Sequence, residues 1–241
     1  MRKFAHDHQG ATLGCLVDTS ILFSVSYPLD KFNEEAAQVF DIWGELAIPV
    51  YTNANVRSEF LELHRRVMIP EGLIDFLEDE ESSLDQVLVQ KLKSLRTRFR
   101  RNIEEGKGFK LSDSEIKLFR HLMSQFRTQE TDGWLLFCRH YLQGRLEPIW
   151  EQVVELIGLN FIGLRSGERA TELVGQVSWK GTTNLMSKFG MGSTDAMILD
   201  LFFNSKFKML LTSDQDMAYC VNASGAQGRY AFLPNLRAHT A

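Results

Sequence analysis

Short apolar runs followed by an acidic residue occur near both ends of the chain. The first run stops at Asp18, and the second is followed closely by Asp214. Each run has the length and composition of a short buried strand. Residues 193–203 follow a helical pattern instead, with Asp195 in the predicted first turn. The pattern therefore predicts carboxylates at two strand ends and at one helix start.

The rest of the pattern alternates strands with helices. It predicts helices at 33–46, from 53 and at 167–179, a polar loop at 180–184, and strands at 47–51, 159–164, 209–212 and 229–233. Ser193 or Thr194 is the predicted N-cap of the helix that carries Asp195. Strands joined through helices pair in parallel with right-handed crossovers. We therefore expect an α/β fold around a parallel sheet of about four to five strands.

Residues 70–156 interrupt this alternation, because they contain helical patterns and no convincing strand. Neither end of the segment resembles a flexible Gly/Ser or Pro linker. The sequence therefore predicts an all-helical insertion at 70–156 within an α/β domain made of 12–69 and 157–241. Residues 1–11 are predicted to be a loose N-terminal arm.

One helix of the insertion is strongly amphipathic. Apolar residues recur along one stripe at spacings of three and four, at Leu84, Leu88, Leu92, Leu95, Phe99 and Ile103. The remaining circumference carries the bases Lys93, Arg96, Arg98, Arg100 and Arg101. This basic face is either a solvated surface or a patch that contacts RNA phosphates.

Composition narrows the function classes. The 241 residues carry a formal net charge of -4, so the chain as a whole has no electrostatic attraction for nucleic acid. Cys15, Cys138 and Cys220 show no CxxC spacing and are expected to be free thiols in a reducing compartment. Since the polar start is not a secretory signal and no apolar run approaches a membrane span, we expect a cytoplasmic protein. No Gly-rich phosphate loop or Gly-x-Ser-x-Gly elbow occurs.

The predicted strand ends bring the acids into one constellation. Asp18, Asp195 and Asp214 fall at the carboxyl edge of the predicted parallel sheet, where sites form in open α/β folds, and Asp216 lies close by. Clustered carboxylates either take up protons or bind cations. Oxygen ligands favour Mg²⁺ or Mn²⁺, which can activate water for phosphodiester hydrolysis. Hydroxyls that can donate to these carboxylates are Thr19, Ser20, Thr212 and Ser213.

Glu59 is a further candidate, although on its own it resembles an ordinary exposed helix residue. It lies beside the apolar row of the helix predicted from residue 53, one residue from Phe60 and three from Val56. It can join the other acids if that helix packs across the same sheet edge. Glu62, one helical turn further on, is the alternative.

Four short motifs occur in the same order as the acidic motifs of PIN-domain nucleases. They are Leu16-Val-Asp-Thr-Ser-Ile-Leu22, Val56-Arg-Ser-Glu-Phe-Leu61, Ser193-Thr-Asp-Ala-Met-Ile198 and Leu211-Thr-Ser-Asp-Gln-Asp-Met217. The resemblance covers about residues 12–68 and 158–233, and the long helical insertion departs from the short toxins of that family.

The resemblance implies a three-layer α/β/α sandwich with a Mg²⁺- or Mn²⁺-dependent ribonuclease centre. Its catalytic and metal-binding residues would be Asp18, Glu59, Asp195 and Asp214, with Asp216 as an auxiliary metal ligand or a structural acid. The family includes VapC-like toxins and RNA-processing nucleases. The implied partners are an RNA substrate, an antitoxin-like or other protein, and a second copy in a homodimer. The alternative is a catalytically silent PIN-like scaffold that binds RNA or a protein through the insertion.

Overall fold

The fold is a mixed α/β arrangement in which a parallel sheet is flanked by helices, in agreement with the predicted three-layer α/β/α class. The computed structural model describes residues 13–127, 131–162, 172–226 and 228–233. Within them the strands are β1 (Cys15–Val17), β2 (Val50–Asn53), β3 (Leu159–Ile162), β4 (Met209–Leu211) and β5 (Tyr230–Phe232). The predicted N-terminal arm, residues 1–11, lies outside the described residues.

The helices connect the strands and build the inserted segment. They are α1 (Thr19–Ser26), α2 (Asn33–Glu45), α3 (Ala54–Glu80), α4 (Gln86–Glu104), α5 (Asp113–Gln125), α6 (Gly133–Phe137), α7 (Leu146–Ile157), α8 (Trp179–Phe189), α9 (Ser193–Phe203) and α10 (Gln215–Ala223). A 3₁₀ turn follows α3 at Glu81–Ser83, and a π-helical turn follows α6 at Cys138–Leu142. None of the described helices is long and apolar enough to cross a membrane.

The strand order β3-β2-β1-β4-β5 puts β1 at the centre of the sheet. All four pairings are parallel, and Cys15 lies beside both Val50 and Met209 in the register. Since β1 and β4 are fully buried, they consist of continuous apolar runs, as strands covered on both faces do. The connections run in opposite directions from β1, so the topological switch point lies between β1 and β4. Ligand sites in open α/β sheets form at this position.

The described chain divides into two compact units. The first comprises residues 1–28, 32–60 and 151–241, and the second comprises residues 29–31 and 61–150. The insertion was predicted at 70–156, whereas the main segment of the second unit runs from residue 61 to residue 150. The second unit has its own core, in which Leu88, Leu92 and Leu95 of α4 are buried together with residues of α3, α5 and α6.

Helix α3 continues through Pro70 in the second unit. A proline inside a helix has no N–H group to donate to the carbonyl four residues earlier, which here is Arg66. The Arg66 carbonyl accepts instead from the Leu111 N–H at 3.2 Å. The Arg66 Nε atom returns a hydrogen bond to the Leu111 carbonyl at 3.0 Å. The lost helical bond is therefore replaced by a long-range pair of hydrogen bonds.

The predicted strand at 47–51 is displaced, because β2 begins only at Val50. The N–H groups of Ala47 and Ile48 are used by α2, donating to the Gly44 and Trp43 carbonyls, and Ala47 adopts a positive φ of 50°. Pro49 has no N–H for a sheet ladder. The helix predicted from 53 begins at Ala54, and the Asn53 side chain caps it by accepting from the N–H groups of Asn55 and Val56.

The predictions for residues 167–184 were wrong where the structure describes them. Residues 163–171 lie outside the described range, while residues 172–178 are not helical. The expected polar loop at 180–184 is the first half of α8, whose cap is Ser178, accepting from the Gly181 N–H at 3.1 Å. Thr182 is the buried residue of α8, and the stretch expected to be a loop, Lys180-Gly-Thr-Thr-Asn184, is polar and contains a glycine, which favours a loop over a helix.

The N-cap of α9 is also corrected, since it is Gly192 and not Ser193 or Thr194. Asp195 lies in the first turn as predicted. The expectation of free thiols is confirmed, because Cys15, Cys138 and Cys220 form no disulfide bonds. At the start of α5, Ser112 and Glu115 form a capping box.

Substitution of Gly181 tests the close packing of α8 against α9. A Cβ atom at this position would lie 2.3 Å from the Oδ1 atom of the buried Asp200, whereas one at the exposed Gly44 would meet nothing within 4 Å. We expect Gly181→Ala to lower the free energy of unfolding by about 1 to 3 kcal/mol through overpacking. Gly44→Ala should leave stability unchanged or raise it by up to about 1 kcal/mol. Urea unfolding measures the free energy of unfolding of both variants. If Gly181→Ala were as stable as Gly44→Ala, close packing of Gly181 against Asp200 would be contradicted.

Candidate active site

Asp18 occupies the switch point directly after β1 and is almost completely buried, with 5% of its surface exposed. Its backbone N–H donates to the Leu211 carbonyl of β4 at 2.9 Å. Its Oδ2 atom accepts hydrogen bonds from the Ser20 hydroxyl at 2.8 Å and from the Thr212 hydroxyl at 2.9 Å. Both donors had been predicted from the sequence as partners of the acidic residues, and they hold this carboxylate in one orientation.

Thr212 connects the acids that follow β1 and β4. While its hydroxyl donates to Asp18, the same oxygen accepts from the backbone N–H of Asp214 at 2.9 Å. The Ser213 N–H donates to the Ser20 hydroxyl oxygen at 3.0 Å, which adds a second link between the two strand ends. The positions of Asp18 and Asp214 are therefore coupled through one hydrogen-bond network.

Asp214 also caps helix α10. Its Oδ1 atom accepts from the backbone N–H groups of Asp216 at 2.7 Å and Met217 at 3.3 Å. The side chain of Asp216 is exposed. The structure thus combines a structural capping role for Asp214 with a place beside the switch point.

Glu59, and not Glu62, contacts the residues after β1. The Oε2 atom of Glu59 accepts from the Thr19 hydroxyl at 2.7 Å. The Glu62 carboxylate is bound by both the Nε and the Nη2 atoms of Arg65, at 2.8 and 2.6 Å. Because Glu62 is committed to this ion pair, the geometry favours Glu59 of the two alternatives.

Asp195 experiences the charge of all the other acids. Burial and the negative charges of Asp18, Glu59, Asp214 and Asp216 raise its pKa from 3.8 to about 6. Burial also raises the pKa of Asp18, against the opposing effect of its hydrogen-bond donors. We call these five residues the acidic centre. Their mutual repulsion is the condition that a bound cation would relieve.

The donor chemistry of the acidic centre suits a hard divalent cation, because every candidate ligand is a carboxylate oxygen. Among the described residues, however, no three His, Cys, Asp or Glu side chains are arranged as a ready-made ligand set. The acids lie near enough to Asp195 for their charges to raise its pKa. Hydroxyl and backbone donors hold Asp18, Glu59 and Asp214 individually. A cation would therefore draw in side chains that already lie around the switch point.

Gly192 is a residue of this site that the sequence did not single out. It is the N-cap of α9, and a Cβ atom there would lie 3.3 Å from the Asp195 Oδ2 atom. The signal was the glycine immediately before a predicted helix that carries an acid in its first turn.

The basic face of α4 is largely paired with acids of its own unit. Lys93 lies 2.5 Å from Glu81, and Arg98 lies 2.8 Å from Glu115. Arg96 approaches Glu78 at 3.9 Å. Arg100 and Arg101 are exposed. Three of the five bases for which RNA contact was the alternative to a solvated surface thus lie beside acids of the same unit.

Comparison of the chain with protein-family models, curated proteins and solved structures finds no match.

The raised pKa of Asp195 predicts a pH dependence of stability. The folded protein binds this proton more tightly than the unfolded chain, so the stabilisation is fully present below about pH 3.8 and is lost as the pH rises through about 6. With a chelator present, the free energy of unfolding of the wild type should therefore fall more steeply over this interval than that of Asp195→Asn. The difference is moderated by solvent, since Asp195 is only half-buried.

Urea unfolding at a series of pH values measures this difference. The matched control is Asp41→Asn, which alters an exposed aspartate of α2 and should keep the wild-type slope. Parallel slopes for the wild type and Asp195→Asn would show that Asp195 is not under strong repulsion.

Proposed function

We propose that the protein is a metal-dependent endoribonuclease of the PIN type, which hydrolyses RNA phosphodiester bonds at the acidic centre. The observation that carries the proposal is the gathering of acids around Asp195, whose pKa is raised to about 6 by burial and by the charges of four other carboxylates. Support also comes from the order of the acidic motifs along the chain and from the position of Asp18 and Asp214 at the switch point.

The chain's own residues would orient the reaction. A bound Mg²⁺ or Mn²⁺ ion would supply a water of lowered pKa and charge stabilisation for the phosphate oxygens. Asp18, Glu59, Asp195 and Asp214 would hold it, with Asp216 assisting from the first turn of α10. The Ser20 and Thr212 hydroxyls fix the Asp18 carboxylate, and the Thr19 hydroxyl fixes Glu59. Such donors orient ligands before the cation arrives.

Asp195 would be the acid of the centre whose charge depends on pH near neutrality. In the absence of a cation its carboxylate holds a proton below about pH 6 and releases it above. Cation binding should therefore strengthen as the pH rises through this range. The three free thiols are consistent with the cytoplasmic location that this proposal includes.

Glu59→Gln and Glu62→Gln form a matched test of the centre. The first change removes a proposed ligand and should lower the rate of RNA cleavage by about 100-fold or more, equivalent to about 2.7 kcal/mol of barrier. The second removes a carboxylate bound to Arg65 and should leave the rate within about twofold, or roughly 0.4 kcal/mol. Cleavage of a labelled RNA pool in Mn²⁺ measures both, with Asp18→Asn as the inactive reference. Full activity of Asp18→Asn and Glu59→Gln would remove the proposal.

Calorimetric titration with Mn²⁺ separates the nuclease from a catalytically silent scaffold. We expect the wild type to bind Mn²⁺, and Asp195→Asn to bind it at least about tenfold more weakly, since a proposed ligand and its charge are lost. Far-ultraviolet circular dichroism shows whether the variant is folded. Absence of Mn²⁺ binding by the wild type, together with absence of RNA cleavage, would favour the scaffold.

A further inference from the structure

The second unit contains a shallow groove between α5 and the start of α6. Its volume is about 400 Å³. Residues of successive turns of α5 form one wall, and the first turn of α6 forms the other. We call it the α5 groove, and its lining residues are Lys117, Arg120, His121, Ser124, Asp132, Trp134 and Leu135.

The basic residues of the α5 groove differ from those of α4 in their ion pairing. Lys117, Arg120 and His121 are exposed on one face of α5. In the part of the chain that the structure describes, neither Lys117 nor Arg120 lies within 4 Å of a carboxylate, whereas Lys93 and Arg98 of α4 do. Their charge is consequently available to an anionic ligand.

The acid and the polar groups of the groove are already engaged. The Asp132 Oδ1 atom caps α6 by accepting from the N–H groups of Trp134 and Leu135. The Ser124 hydroxyl donates to the His121 carbonyl at 2.8 Å, and the His121 ring contacts Gln125 at 3.2 Å. The acid that lines the groove therefore has a structural partner, while none of the described carboxylates pairs with Lys117 or Arg120.

An aromatic ring and an apolar side chain complete the lining. Trp134 is half-buried and packs on Phe137, with ring centroids 5.1 Å apart, so that part of its surface still faces the groove. Leu135 is 55% exposed beside it. Cations that contact phosphates next to an aromatic ring that stacks on bases are the combination that binds single-stranded nucleic acid.

We propose that the α5 groove is a binding site for single-stranded RNA, with Lys117 and Arg120 contacting phosphates and Trp134 stacking on a base. The identification of the ligand as RNA rests on the proposed ribonuclease function. The site replaces the basic face of α4 as the main RNA contact of the second unit, because ion pairs occupy Lys93, Arg96 and Arg98.

The test compares two double variants that remove the same charge from the same unit. Lys117→Gln/Arg120→Gln alters the groove, and Lys93→Gln/Arg96→Gln alters α4. Fluorescence anisotropy measures the binding of a labelled single-stranded RNA oligonucleotide at several salt concentrations, with a chelator present to prevent cleavage. Loss of two phosphate contacts should weaken binding about tenfold and make the slope of log affinity against log salt shallower by about 1.4. The α4 variant should change neither quantity.

The aromatic contribution is tested at Trp134. We expect Trp134→Leu to weaken binding by about tenfold, and Trp134→Phe to restore most of the affinity because it retains a stacking face. Thermal unfolding identifies any variant that is not folded. Equal weakening by the two substitutions in folded protein would show that Trp134 only supports the core.

The outcomes separate this proposal from the proposed function. If the groove variants bind RNA with unchanged affinity and salt dependence, the groove proposal is overturned, whatever the result of the cleavage assay. If wild-type protein binds RNA through the groove but does not cleave it with Mn²⁺, the nuclease proposal alone fails. If the α4 variant weakens RNA binding more than the groove variant does, α4 is the main RNA contact and the groove proposal is overturned.

Discussion

A nearly buried carboxylate at the centre of the sheet is the constraint on which the candidate site depends. Asp18 has little access to water, and a charge in such a place requires strong compensation. The Ser20 and Thr212 hydroxyls provide it only in part, since burial still raises the pKa of this residue. The same hydroxyl of Thr212 positions Asp214, so the solvation of one acid also determines the position of another.

The two units differ in how their charged side chains are paired. The second unit offsets part of its charge through ion pairs between residues 71–81 and α4, namely Glu81 with Lys93 and Glu78 with Arg96. In the first unit, the acids around Asp195 repel one another, and among the described residues no base forms an ion pair with them. Uncompensated charge costs stability, and proteins retain it chiefly where it serves binding or catalysis. Local pairing, and not the number of charges in a stretch of sequence, therefore indicates where a ligand belongs.

Much of the fold followed from the sequence because its key elements are locally specified. Strands β1 and β4 are unbroken apolar runs with an acid after each, and α4 has a clear apolar stripe. The period and composition of the sequence were therefore enough to predict these elements. The start of β2 did not follow, because the N–H groups of Ala47 and Ile48 are used by α2, which only the backbone geometry reveals. Helix α8 was missed because its first half, Lys180-Gly-Thr-Thr-Asn184, is polar and contains a glycine and two β-branched threonines, which are weak helix formers. The choice between Glu59 and Glu62 required the partners of each carboxylate, Thr19 and Arg65.

The hydrogen bonds at Pro70 have a consequence for the order in which the protein forms during synthesis. Pro70 cannot donate to the Arg66 carbonyl, and the N–H group that does so belongs to Leu111, which leaves the ribosome much later. Until then, this carbonyl has to accept from water, at the point where α3 is easiest to bend. Completion of the longest helix thus waits for a non-local contact, and such contacts slow folding. A nascent chain that ends before Leu111 should hold α3 as two loosely joined halves.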